Sequence, residues 1–307
     1  MKYLYQVSLS FFLPTLAMAD PYPIQFSIPE NKIVEKIPPK NQDFALLIPG
    51  DLSTYIYTSE AEYYKDYQRS YFALTCKKGG WDCLRHYEIL ANGCIPYFRD
   101  IDQCDAKTMY FLPKELIKEA MHLEGVSYPK IDHTKFDGAK YSQILNKLLA
   151  YTRQYLTTSR MAEYLLKTVN YVGRNKILYL STDVNPDYLR CLTLIGLKQL
   201  LGDRVVDFPK IEHIYKSNLD LRHLYGRGFS YTQILDDLPV DRENIEERIK
   251  NDEFDLIIYG SVHRGLLFHD VVCQTYPPER IIYLCGEDRH GKCGYFLWPN
   301  LFLREWE

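Results

Sequence analysis

Apolar and polar positions along this chain fall into blocks that switch between two periods. Short apolar runs bounded by turn residues read as buried strands. Longer stretches with apolar residues every three or four positions read as helices. The first run, 44–48 (FALLI), ends at Pro49-Gly50. A tyrosine-rich helix over 60–70, a strand over 71–75, a helix over 83–92 and a strand over 94–98 follow. Residues 108–112 predict a further short strand, and 113–123 a helix with proline at its first position. Residues 140–172 are helical in pattern almost throughout. Ile144, Leu148, Tyr151, Tyr155 and Leu156 share one face, then Met161, Leu165 and Val169. Thr157-Thr158-Ser159 marks a break with a new N-cap, so two helices are expected here.

A second series starts after Asn175. It predicts strands over 176–180, 205–209, 254–259 and 280–285, and helices over 188–201, 241–251 and 266–275. Residues 215–232 form a loop-rich insertion containing Tyr225-Gly226-Arg227-Gly228-Phe229, and 301–305 closes the pattern. Alternation of strand and helix in both series predicts parallel sheets. The expected class is α/β, with two Rossmann-like domains joined by long crossing helices. The expected divisions are an N-terminal extension over 1–41, a first α/β domain over 42–172 that includes the crossing helices, and a second over 173–307. Residues 21–41, rich in proline and charge, read as an extended surface connection. Residues 1–19 carry one early lysine, an apolar centre and an Ala-Met-Ala end, which imitates a secretory signal. Gln6, Ser8, Ser10 and Pro14 interrupt the apolar centre, so the reading is a domain edge and a cytoplasmic location. The secretory pathway is the alternative.

Composition changes this picture little. A net charge of −3 gives no bulk electrostatic case for nucleic acid or an anionic membrane. The 27 tyrosines offer faces and hydroxyls suited to sugars, although they read first as a compositional habit. The 8 cysteines show no small disulfide framework. Cys285-x4-His290-x2-Cys293, with Cys273 or His269 nearby, fits no well-defined zinc pattern. Asp100-x-Asp102 matches a metal–diphosphate motif in spacing only, so no metal is expected. No G-x-G-x-x-G follows a strand, so no dinucleotide cofactor is expected either.

The stretch richest in chemistry is 77–98, KKGGWDCLRHYEILANGCIPYF. Gly79 and Gly80 make a loop, Asp82 is placed as an N-cap, and Gly93 suits the left-handed residue after the helix. A glycine loop feeding a helix N-terminus presents free N–H groups and the positive end of the dipole. Lys77, Lys78 and Arg85 add full charges, and arginine holds a phosphate bidentately. Glu88 lies one turn after Arg85, where a carboxylate can accept sugar hydroxyls. The plainer alternative is a capped helix with Arg85 and Glu88 as a surface pair.

Arg85-x-x-Glu88 followed by Ala91-x-Gly93-Cys94-Ile95-Pro96 resembles the signature of exostosin-like and spore-maturation-type glycosyltransferases. Residues 67–75 (YQRSYFALT) look like the strand before that loop, and the closing LFLRE resembles the F-x-R-E element of the second group. The resemblance implies a GT-B fold and transfer of a sugar from a UDP- or GDP-linked donor, with no obligatory metal or other cofactor. The acceptor is an unidentified glycan, lipid or protein. Donor binding is implied for Lys77, Lys78, Gly79, Gly80, Arg85 and Glu88. In that family the acceptor half usually comes first. Here the order is reversed, which implies a circular permutation or a piece of a larger glycosylation protein.

Ligands of open parallel sheets collect outside the carboxyl ends of the strands. That rule nominates Asp183, Ser261, His263, Arg264, Glu287 and Asp288. A general base for the acceptor hydroxyl would come from His263, Asp183 or Asp288, with His263 titrating nearest neutrality. The plainer role is a hydrogen-bonded loop histidine for His263, and a turn or capping residue for Asp183 and Asp288. A second reading is a catalytically inactive, glycosyltransferase-like binding module. A closed cleft between Arg85/Glu88 and the loops at 181–183, 261–264 and 287–288 favours the enzyme. A third reading, a methyltransferase-like unit, lacks its glycine motif after Leu180.

Overall fold

Two parallel sheets and the long helices between them in sequence share one apolar cluster. The structure is a computed structural model that describes residues 20–289, 293 and 298–306. The signal-like segment 1–19 and His290 therefore fall outside the described residues.

The described chain opens with strand β1 (Tyr22–Pro23) and continues through β2 (Gln42–Phe44), helix α1 (Glu60–Arg69), β3 (Ser70–Thr75), α2 (Leu84–Ala91) and β4 (Ile95–Phe98). Strands β2, β3 and β4 make a parallel three-stranded sheet. Helix α3 (Lys114–Met121) leads to a hairpin of β5 (Val126–Ser127) and β6 (Lys130–Ile131), which the apolar pattern did not announce. The crossing helices are α4 (Gly138–Tyr155) and α5 (Thr158–Thr168). The expected break is present: Thr157 caps α5 by accepting the Arg160 N–H.

The second series comprises β7 (Lys176–Leu180), α6 (Tyr188–Leu201), β8 (Val205–Phe208), α7 (Ile245–Lys250), β9 (Phe254–Tyr259), α8 (His269–Thr275), β10 (Ile281–Cys285) and β11 (Leu301–Leu303). Its strands form a six-stranded sheet in the order β1-β11-β10-β9-β7-β8, every pair parallel. Parallel strands joined by helical crossovers make this a Rossmann-like pattern, as the alternation predicts.

Three expectations about these elements fail. The strand expected over 44–48 is Gln42–Phe44 instead, and Leu46 is exposed. Residues 21–41 do not form a surface connection throughout, because Ile24, Gln25, Phe26, Ser27 and Ile28 are all buried. Strand β1 lies parallel to β11, and the Ile24 N–H continues the ladder to the Leu303 carbonyl at 2.9 Å. Residues 108–112 form a turn instead of a strand, with Met109 at φ 50° and the Leu112 N–H returning to the Met109 carbonyl at 3.0 Å.

One cluster of buried apolar side chains joins Phe72 and Ile95 of the smaller sheet, Leu145 and Leu165 of the crossing helices, and Ile177 and Ile258 of the larger sheet. The two sheets thus share one core. Helices α5 and α6 approach so closely that a Cβ on Gly196 would overlap the Thr158 carbonyl oxygen. No described helix is long and apolar enough to cross a membrane.

Candidate functional site

The loop after β3 meets the loops after β10 and β11, so the carboxyl ends of the two sheets face each other. The contact is polar and buried. Glu305 accepts the backbone N–H groups of Trp81 and Asp82 at 3.1 and 2.9 Å. Arg304 donates to the Asp82 carbonyl at 2.7 Å, to Glu305 at 2.7 Å and to the Gly286 carbonyl at 2.9 Å, and it also reaches Asp288. Gly79 and Gly80 run directly against these side chains: a Cβ on either would meet the carboxylate of Asp288 or Glu305. The amides of this loop therefore hold the protein's own carboxylate.

Asp82 does not cap α2. Its carboxylate accepts the Phe26 N–H and the Tyr87 hydroxyl, both at 2.7 Å, and Cys83 takes the N-cap position without a side-chain cap bond. The first turn of α2 is consequently left open towards a cavity of about 390 Å³. Cys83, Leu84, Arg85 and Glu88 line it from α2, and Tyr55, Tyr57, Tyr63 and Lys78 from the loops and helix beside it. Tyr188, Tyr225, Arg227 and Phe229 close it from the larger-sheet side.

Arg85 is the central feature of this cavity. It is 9% exposed, and Nη2 donates to the Tyr55 hydroxyl oxygen at 3.1 Å. Its Nε and Nη1 are buried without a hydrogen-bond partner. Lys78 also donates to the Tyr55 oxygen, at 3.0 Å. Burial alone would raise the Tyr55 pKa, but the Arg85 charge and the Lys78 hydrogen bond outweigh it and lower the phenol. Glu88 is not a surface partner of Arg85. It is buried, with the Tyr63 hydroxyl at 2.7 Å on one oxygen and the Ser230 hydroxyl on the other. Burial raises its pKa, and those two hydrogen bonds and Arg85 only moderate the rise.

Of the residues singled out from sequence, Lys78, Arg85 and Glu88 line the cavity. Gly79 and Gly80 pack against the Asp288–Glu305 side instead. The Lys77 ammonium lies 5.5 Å from the centre of the Trp81 ring. Asp288 receives Arg304. Asp183 and His263 meet in a separate network at the carboxyl ends of β7, β9 and β10. Asp187, the N-cap of α6, is its hub, accepting the Ser261 hydroxyl at 2.6 Å and Arg264 Nε at 3.2 Å. His263 Nε2 is 3.4 Å from the same oxygen and 3.7 Å from Glu287. Arg264 Nη1 reaches Asp183 at 3.4 Å. Burial works against ionisation of Asp187, but the hydrogen bonds from His263 and Ser261 prevail and hold its carboxyl below the ordinary range. None of Asp183, His263 and Asp288 lines the cavity, although Tyr188, the residue after Asp187, does.

No protein-family model, curated protein or solved structure matches the chain.

Tyr55, Tyr63, Tyr188, Arg227 and Ser230 were not legible as site residues. Tyrosine is too common in this chain for any one to stand out. The YGRGF stretch signals only a loop by its composition, and what it faces depends on the packing of the two sheets. Cys285 and Cys293, considered above for a metal, form a disulfide.

Proposed function

We propose that the chain is a glycosyltransferase that uses a nucleotide-sugar donor, with the donor's anionic group at Arg85. The observation that carries this reading is the buried Arg85 guanidinium, which lines the cavity with Nε and Nη1 unpaired. Buried charged donors left without partners cost several kcal/mol, and a bound anion offsets that cost. Lys78 and the open first turn of α2 favour negative charge in the same place. Such groups also stabilise a departing diphosphate without a metal. The surrounding tyrosines offer faces for a base or a sugar ring.

The facing carboxyl ends of two parallel sheets support a GT-B-like arrangement in permuted order. The donor would be UDP- or GDP-linked and the acceptor a glycan, lipid or protein. In this reading His263 or Asp183, both in the Asp187 network, takes the acceptor proton. A nucleotide-binding module without transfer is the second reading. It is favoured by one observation, that none of His263, Asp183 and Asp288 lines the cavity.

Calorimetric titration with UDP, GDP and their sugars tests the first step. Micromolar binding that weakens at least about tenfold in Arg85→Ala is expected from loss of a charge-assisted contact. Folded protein that binds none of these ligands sinks the enzyme reading. Binding without sugar transfer to any acceptor class leaves the module.

A further inference from the structure

Opposite Arg85, the cavity is closed by a loop with an unusual backbone. Gly226, Arg227 and Gly228 follow one another at φ 60°, 59° and 73°. Glycine adopts this left-handed region freely, whereas an arginine there is strained. The conformation persists because both ends of the loop are pinned. Upstream, the Tyr225 ring packs on Tyr188 with centroids 5.5 Å apart, and its carbonyl accepts the Tyr231 hydroxyl at 2.9 Å. Downstream, the Phe229 ring stacks on Tyr63 at 5.8 Å. Ser230 is then held by α1 and α2: its N–H donates to Glu60 at 2.6 Å, and its hydroxyl meets Tyr64 at 2.5 Å and also Glu88.

Arg227 stands at the exposed tip of this pinned loop. It lines the cavity and also an adjoining groove. Its guanidinium makes no hydrogen bond or ion pair among the described residues. Two acids share that groove and would be its natural partners. Glu60, however, already pairs with Lys32 at 2.6 Å, and Asp220 with Arg222 at 2.7 Å. A strained residue that presents an unpaired cation across a cavity from a buried guanidinium with two nitrogens unpartnered is a pattern expected of a ligand clamp.

We propose that Arg227 is a specificity-determining residue that selects a diphosphate over a monophosphate, Arg85 taking one phosphoryl group at the buried wall and Arg227 the other at the mouth. The proposal rests on the reading of Arg85 as an anion site, but it does not require that a sugar be transferred. A single phosphoryl group bound at Arg85 leaves Arg227 in solvent. A second one brings it a charge-assisted partner without reordering the loop, since the backbone is already set.

The test is titration of the full chain with inorganic phosphate and inorganic pyrophosphate, at fixed ionic strength. Wild type is expected to bind pyrophosphate about tenfold or more tighter than phosphate, the range of one charge-assisted contact. In Arg227→Ala the preference falls to within about threefold while phosphate affinity stays within about twofold. Arg227→Lys restores part of the preference, and Arg85→Ala weakens both ligands. Arg227 is exposed, so its variants are expected to melt with the wild type, and the melt is recorded alongside. A preference left intact in Arg227→Ala overturns the proposal, as does wild type that does not discriminate or that binds no pyrophosphate at about 10 mM, an affinity of only some 3 kcal/mol. Failure of the glycosyltransferase reading is separable. Pyrophosphate selection through Arg227 without sugar transfer leaves this assignment standing. Nucleotide-sugar turnover indifferent to Arg227→Ala removes it and leaves the enzyme.

Discussion

The Glu305 carboxylate accepts the backbone N–H of Asp82 at 2.9 Å, joining residues 223 positions apart in the chain. The same group accepts the Trp81 N–H, and Arg304 supplies its counter-charge. A helix entry that looks open to a phosphate in sequence is therefore partly filled by Glu305, just after β11, and the unpartnered cationic group lies one turn further on, at Arg85.

Glu305→Ala leaves two buried N–H groups and the Arg304 guanidinium without their shared partner. A loss of about 3 kcal/mol in urea unfolding is expected. Glu115→Ala, at a side chain 86% exposed, serves as the control and is expected to change stability by less than about 0.5 kcal/mol. Equal effects in the two variants would show that the junction contributes nothing.

His86 sets an acid limit. Its ring is fully buried between Thr75 and the Trp81 carbonyl, and burial, aided by the nearby Arg85 charge, lowers its pKa to about 3. Below pH 6.5 the unfolded chain takes up a proton that the folded chain refuses. Its contribution is therefore fully present above pH 6.5 and is lost as pH falls towards 3, reaching roughly 2–3 kcal/mol near pH 4.5. His86→Gln is expected to flatten the stability profile over that range. An unchanged slope in denaturant titrations between about pH 7 and 4.5 counts against the assignment.

Ser230 and Glu88 are expected to couple. Removing the Ser230 hydroxyl leaves one oxygen of a buried carboxylate short of a donor, at a cost of about 2 kcal/mol. In a double-mutant cycle with Glu88→Gln, the pair should deviate from additivity by about 1 kcal/mol or more. Additive effects would mean that the loop is held by its aromatic contacts alone.

Two glycines give opposite signs. Gly196→Ala pushes a methyl into the Thr158 carbonyl oxygen and should cost about 1–3 kcal/mol. Gly138→Ala, at the start of α4 with nothing within 4 Å of the new methyl, should stabilise by about 0.5–1 kcal/mol. Thermal melts of both variants separate the close crossing of α5 and α6 from a general effect of added helix propensity.

Elements whose causes are local were legible in the amino-acid sequence. The apolar runs of β7 and β9, the break capped by Thr157 and the helical face of α2 follow from side-chain period and capping chemistry. It also pointed to Lys78, Arg85 and Glu88 as residues with chemistry, because cations gathered at a helix start are a local pattern. What those residues face was set by long-range packing. The pairing of β1 with β11, the seat of Glu305 on the Trp81–Asp82 amides, the Ser230 bond to Glu88 and the meeting of Arg85 with Tyr55 on one wall of a cavity closed by Arg227 all depend on the docking of two sheets. The physical reason is that a buried polar group is satisfied by whatever the fold brings within hydrogen-bond reach. For these groups most partners lie tens to hundreds of residues away, beyond any periodicity the chain carries.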